Sequence, residues 1–268
     1  MMNQNFQTEA VTHYIVEWLK NYALESGVKG FTIGISGGID SAVTSTLCAM
    51  TGLPLLCVEM PIHQANSQLN RAKEHLDFLK ANFSNVNTAT TDLTSTFELL
   101  KQHIPTTEEE QLQALTLANT RARLRMTTLY YYAGIHRYLV VGTGNKIEDF
   151  GVGFFTKYGD GGVDISPIAD LLKSQVRLIG EYVKIPQSIC KAKPTDGLFG
   201  DDRTDEDQLG ATYDELEAAM LAVDQGKTLA DFDEGRAKEV YLIYTRLNRI
   251  NQHKINPIPV CTIPQHLK

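Results

Sequence analysis

Apolar and polar positions switch repeatedly between a helical and a strand period along the first 150 residues. Val11, Tyr14, Ile15, Trp18 and Leu19 recur three and four apart, which predicts an amphipathic helix over 7–25, ended by Gly27. The β-branched apolar run 31–35 predicts a buried strand. Val43, Leu47 and Met50 return to helical spacing over 40–50. Residues 54–60 read as a second buried strand closed by Pro61, and 66–81 as a helix with Leu69, Ala72, Leu76 and Leu79 inward. A short strand over 85–90 and a helix capped by Asp92 and reaching about His103 follow. A long helical pattern covers 108–134. Its end, 126–133, is apolar nearly all round, as in a helix buried within its own chain or against a partner. Residues 138–141 form a further strand. This alternation predicts an α/β fold: a doubly wound, mostly parallel sheet with helices on both faces, in a single domain over 1–268. In such sheets ligands gather at the carboxyl ends of the strands, so 36–41 and 143–148 are expected to face one crevice.

The pattern breaks after Phe150. Residues 151–162 hold five glycines and three aromatics, a loop that needs unusual backbone freedom. Helices are expected over 170–184, 213–224 and 234–249. The acidic, glycine-bearing stretch 194–210 is expected to be a mobile lid over substrate, or else a plain solvated loop.

Composition narrows the function classes. With 43% hydrophobic residues, 268 residues can bury a sizeable core. The chain has no run of about 18 apolar residues and its start is polar, so neither a membrane span nor a signal peptide is expected. Cys48, Cys57, Cys190 and Cys261 show no paired spacing; Cys48 and Cys57 read as packed thiols in a reducing cytoplasm. A net charge of −7 argues against broad nucleic-acid binding. It also requires any polyanionic substrate to meet positive charge that is concentrated locally.

The candidate chemistry begins at Ser36-Gly37-Gly38-Ile39-Asp40-Ser41, between a strand and a helix. Adjacent glycines permit a sharp turn and leave amide N–H groups uncovered at a helix N-terminus, where an anion is favoured. Ser36 and Ser41 add hydroxyls. Asp40 would repel phosphate unless a divalent cation lay between them. An ordinary turn with a Ser/Asp cap is the plainer alternative. The loop is neither a Walker loop nor a dinucleotide-binding glycine fingerprint, since the chain contains neither pattern.

This loop resembles the pyrophosphate loop of the ATP-pyrophosphatase superfamily. Three further stretches make the resemblance specific: Gly-Thr-Gly-Asn-Lys-Ile-Glu (142–148), Phe-Phe-Thr-Lys-Tyr-Gly-Asp-Gly-Gly-Val-Asp (154–164), and Thr-Asp-Glu-Asp-Gln-Leu-Gly (204–210) followed by Tyr-Asp-Glu (213–215). Together they resemble the ammonia-dependent NAD synthetases from about residue 8 to 255. The resemblance implies ATP- and Mg2+-dependent amidation of deamido-NAD by ammonia through an acyl-adenylate, giving NAD, AMP and pyrophosphate, in a cytoplasmic homodimer. It implies ATP contacts at Gly34, Ile35, Ser36, Gly37, Gly38, Ile39, Asp40, Ser41, Thr143, Lys173 and Thr195, and Mg2+ ligands at Asp40 and Glu148. It places deamido-NAD at Arg123, Lys157, Asp164, His253 and Lys254. Asp40 and Lys173 would act on the leaving pyrophosphate. Asp164 is a candidate for holding ammonium, or for positioning substrate. Lys173 and Arg123 as solvated helix charges, and His253-Lys254 as a loose surface pair, are the plainer alternatives. A tRNA-modifying adenylase of the same superfamily would need a basic face that this chain lacks, and a non-catalytic nucleotide sensor would not need two metal carboxylates. Gly144-Asn145 stands where the family often has Asp-His, and one extra residue separates Glu148 from Phe154.

Overall fold

In the computed structural model, which describes residues 6–195 and 204–268, four parallel strands make one sheet in the order β3-β2-β1-β4. They are β1 (Gly30–Gly34), β2 (Leu55–Glu59), β3 (Val86–Thr90) and β4 (Tyr138–Val140). The helices are α1 (Thr8–Glu25), α2 (Ile39–Met50), α3 (Asn66–Asn82), α4 (Thr94–His103), α5 (Glu110–His136), α6 (Lys173–Tyr182), α7 (Gln187–Cys190), α8 (Asp205–Leu209), α9 (Tyr213–Asp224) and α10 (Arg236–Ile255). A π-helical turn, Ile147–Val152, follows β4.

Side chains alternate across each strand, and the two faces of the sheet bury different helices. Leu55 and Cys57 of β2 join Leu19 of α1, Leu47 of α2 and Ile179 of α6 in one core. Leu56 and Val58 face the other way, against Phe97 of α4 and Leu124 and Leu129 of α5. A third cluster, with Ile147, Tyr213, Leu216, Val240 and Tyr244, packs the π-turn against α9 and α10. The doubly wound arrangement expected from the alternation is therefore present. The chain moves outward from β1 to β2 and β3, then returns to the far side of β1 as β4. That reversal opens a crevice beyond the carboxyl ends of β1 and β4.

Departures from the expected boundaries each have a tertiary cause. The helix expected over 170–184 starts only at Lys173. There Glu217, buried on α9, accepts hydrogen bonds from the Ser174 N–H at 2.9 Å and the Ser174 hydroxyl at 2.7 Å. The last long helix does not stop at 249 but runs to Ile255. Asn248 and Asn251 anchor it by donating to the carbonyls of Gly151 and Val152, each at 2.7 Å. Part of the 194–210 stretch is not loop: α8 is capped by Thr204, whose hydroxyl accepts from the Asp207 N–H at 3.1 Å. The rest of that expected lid, 196–203, lies outside the described residues. The extra residue before Phe154 falls beside the π-turn, and a π-turn takes up one residue more than an α-turn. The apolar end of α5 is buried on one side only: Ala133 is buried and Leu129 and Tyr132 pack against the sheet, whereas Tyr131 and, just beyond, Ile135 are 68% and 58% exposed.

Candidate active site

The crevice is built from its glycine turn outward. Gly37 has φ +81°, and a Cβ there would lie 2.5 Å from the Gln68 carbonyl of α3. Only glycine allows that close packing. Gly38 starts α2 with no side-chain cap. The first N–H groups of a helix have no acceptor within it, so those of Ile39 and Asp40 open onto the crevice. Ser36 and Ser41 shape the turn before they touch any ligand. Their hydroxyls lie 3.0 Å apart, Ser41 donates to the Gly38 carbonyl at 3.0 Å, and Ser36 accepts from the Gly38 N–H at 3.2 Å.

Opposite the turn, Lys173 is 2% exposed at the N-terminus of α6. Its Nζ donates to Asp40 Oδ2 at 2.5 Å and to Glu148 Oε1 at 3.1 Å. Burial opposes its charge, but Asp40 and then Glu148 outweigh burial and raise its pKa above that of an ordinary lysine. Asn145, fully buried, ties the two acids together. Its amide donates to Asp40 Oδ1 at 3.2 Å, and its carbonyl oxygen accepts from the Ile147 and Glu148 N–H groups. Tyr213 donates to Glu148 Oε1 at 2.5 Å and to Asp205 Oδ2 at 3.4 Å, with its ring 4.5 Å from the Lys173 ammonium. Burial and the Glu148 charge hold that phenol protonated, well above its usual range. Burial, then the charges of Glu148, Asp160 and Asp40, push the Asp149 carboxyl up to about 8. Asp149 lies against Gly144, where an added Cβ would sit 2.1 Å from Oδ1.

Comparison with known proteins decides what this crevice belongs to. The model of the family described as NAD synthase matches residues 11–257. The NH(3)-dependent NAD(+) synthetase of Mesoplasma florum is 38% identical over 91% of this chain and 92% of its own length. That of Carboxydothermus hydrogenoformans is 33% identical over 92% and 94%. The solved structure of NMN synthetase from Francisella tularensis superposes with a TM-score of 0.81 at 31% identity, covering 97% of this chain and all of that one. The chain belongs to the NAD synthase family.

In this NAD synthase family member the crevice gathers the whole group assigned to ATP and metal from the sequence. Gly34 to Ser41, Thr143, Glu148, Lys173 and Thr195 all line it. Thr195 accepts from the Gln68 amide at 2.8 Å. The other group stands apart. Arg123 donates to the Lys157 carbonyl at 3.4 and 3.3 Å, Lys157 donates to the His253 carbonyl, and Lys254 donates to the carbonyls of Gly153 and Phe155. These four residues form one cluster where the glycine-rich loop meets the end of α10. Asp164 joins neither group. Its Oδ1 accepts from the Tyr130 hydroxyl at 3.0 Å and its Oδ2 from the Val140 N–H at 2.8 Å, which braces α5 against β4. Sequence reasoning assigned no role to Asn145, Asp149, Asp205 or Tyr213. Asp205 and Tyr213 lay within the stretches that carried the resemblance, and that was the one signal available for them.

Proposed function

We propose that this enzyme binds ATP with its phosphates on the 36–41 turn, forms an acyl-adenylate on deamido-NAD, and lets ammonia displace AMP to give NAD. The chain is an amide-forming ligase of ammonia-dependent NAD formation. The observation that carries the detailed reading is the junction of an uncapped helix N-terminus with Asp40, Glu148 and Lys173 in one crevice. A carboxylate oxygen of deamido-NAD attacks the α-phosphorus, and the P–O bond to pyrophosphate breaks. Ammonia then attacks the acyl carbon, AMP leaves, and ammonium-derived protons pass to solvent or to a nearby carboxylate. The turn's N–H groups and Lys173 draw the developing charge onto pyrophosphate; losing one such donor costs about 2.7–4 kcal/mol in the transition state.

The donor set fits Mg2+. Asp40 and Glu148 already share one cation, the Lys173 ammonium, and Mg2+ is commonly held by one or two carboxylates together with substrate phosphates. When bound, the ion would neutralise phosphate charge. Among the described residues no cluster of three or more acidic, His or Cys ligands competes for it. Of Asp149 and Asp164, only Asp149 lines the crevice, so it is the better placed of the two to meet ammonium. The exposed Tyr131 and Ile135 of α5 suit a second copy of the chain, and a homodimer in the cytoplasm completes this reading. Among the described residues no helix is long and apolar enough to cross a membrane.

The Francisella relative, an NMN synthetase, favours a second substrate reading in which the acid is the mononucleotide. One experiment tests both. Pure protein with ATP, Mg2+ and ammonium is given deamido-NAD or nicotinic acid mononucleotide, with each component omitted in turn. NAD, AMP and pyrophosphate are expected. ADP and phosphate would refute adenylation, and faster turnover of the mononucleotide would select the second reading.

A further inference from the structure

Arg71 sits on the second turn of α3, beside the glycine turn and remote from it in sequence. Its Nε donates to the Gly37 carbonyl at 3.1 Å, and its side chain lines the crevice, partly buried. Among the described residues, that carbonyl is its sole hydrogen-bond or ion-pair partner, so both Nη groups are uncommitted. A guanidinium presents its donors in a fixed planar fork. With Nε spent on the turn, the outer donors are held beside the same backbone that would cradle phosphate. Of the other cations lining the crevice, Lys193 is exposed, and the rest are already engaged. Lys173 is held by Asp40 and Glu148, and Arg177 lies 3.5 Å from Asp214. Arg125 donates to the Met60 carbonyl and the Gln64 side chain. A half-buried guanidinium with free donors and no carboxylate partner calls for an anion.

We infer that Arg71 binds the β- and γ-phosphates of ATP and retains them as pyrophosphate when the α-phosphorus is attacked. This rests on the proposal that the 36–41 turn is the phosphate cradle. Arg71 then supplies, from α3, the positive charge that Lys173 supplies from α6, and the leaving group is gripped from two sides. A guanidinium that grips only the β- and γ-phosphates makes no contact with AMP, so pyrophosphate and AMP should respond differently to its loss.

The test is calorimetric binding of inorganic pyrophosphate with Mg2+, and separately of AMP, to the full-length wild type, R71Q and R71K. Melting temperature serves as the check on folding. R71Q should weaken pyrophosphate about tenfold while leaving AMP within about twofold, and R71K should fall between wild type and R71Q. The Michaelis constant for deamido-NAD should not move. Pyrophosphate binding equal to wild type in R71Q overturns the inference. So does an equal loss for AMP and pyrophosphate, which would make Arg71 a prop between α3 and the turn. If the wild type itself binds no pyrophosphate, the cradle reading falls, and this inference with it.

Discussion

The Tyr213 hydroxyl donates to Glu148 Oε1 at 2.5 Å and so joins α9 to the π-turn across 65 residues of sequence. Tyr213→Phe keeps the ring beneath Lys173 and removes only that donor. A hydrogen bond to a charged acceptor contributes about 1.5–3 kcal/mol, so the urea midpoint should drop accordingly with an unchanged slope. An unshifted midpoint would mean that Glu148 finds another donor.

Asp40→Asn should abolish most turnover yet fold. Lys173 keeps Glu148 as a counter-charge, and the amide can still accept from Asn145. The expected loss in kcat is about 100- to 1000-fold, the scale for one lost electrostatic contact in a transition state. A collapse in melting temperature instead would make Asp40 a structural cap of α2.

Removing the shared cation is the harsher change. Lys173→Met leaves two carboxylates facing each other with no counter-charge. Breaking a buried pair in this way costs about 3–5 kcal/mol, and the partial exposure of Asp40 and Glu148, 17% and 15%, puts this case at the low end. Mg2+ without nucleotide should recover part of the lost melting temperature in the variant and little in the wild type. Equal responses would argue against a metal between Asp40 and Glu148.

Much of this was legible because the signals were local. The glycine turn, its flanking strand and helix, and a parallel sheet covered on both faces follow from short windows around Ser36 to Ser41 and from the strand–helix alternation. Tyr213, Asn145 and Arg71 were not legible as site residues. Each acts through one partner at least 34 positions away, as with Arg71 and Gly37 or, at the far extreme, Asn145 and Asp40, 105 apart. Periodicity carries no information about such pairs. The start of α6 was missed in part for the same reason, since Glu217 on α9 accepts from the Ser174 N–H, beside a local cap of Leu172 by Gln175. Asp164 shows the converse. Its place in a family pattern suggested chemistry, and the structure adds a bracing contact the pattern did not show: its oxygens accept from the Tyr130 hydroxyl and the Val140 N–H.

Stability should fall in mild acid through His75. This ring is fully buried behind α2, stacked on Phe78, with Nε2 2.8 Å from Ser45 Oγ. Ser45 spends its proton on the Ser41 carbonyl at 2.7 Å, so Nε2 carries the hydrogen, and Nδ1, buried with no acceptor beside it, favours the neutral imidazole. Burial lowers its pKa from 6.5 to about 4. As pH falls below 6.5 the unfolded chain takes up a proton that the folded chain refuses. The stability present above 6.5 is therefore lost between 6.5 and 4, by up to about 3 kcal/mol. Urea midpoints across that range should decline less steeply in His75→Gln. Parallel declines would assign the acid sensitivity to other groups.

Gly144 and Asp149 occupy one volume: the space a side chain at 144 would need is filled by the carboxyl of 149. The two positions are thus bound together as a mutational pair. Restoring an aspartate at 144, as in the common family pattern, should be tolerated only when 149 shrinks at the same time. Either change alone would force the Asp149 carboxyl to move or leave a hole, so the two positions are expected to change together.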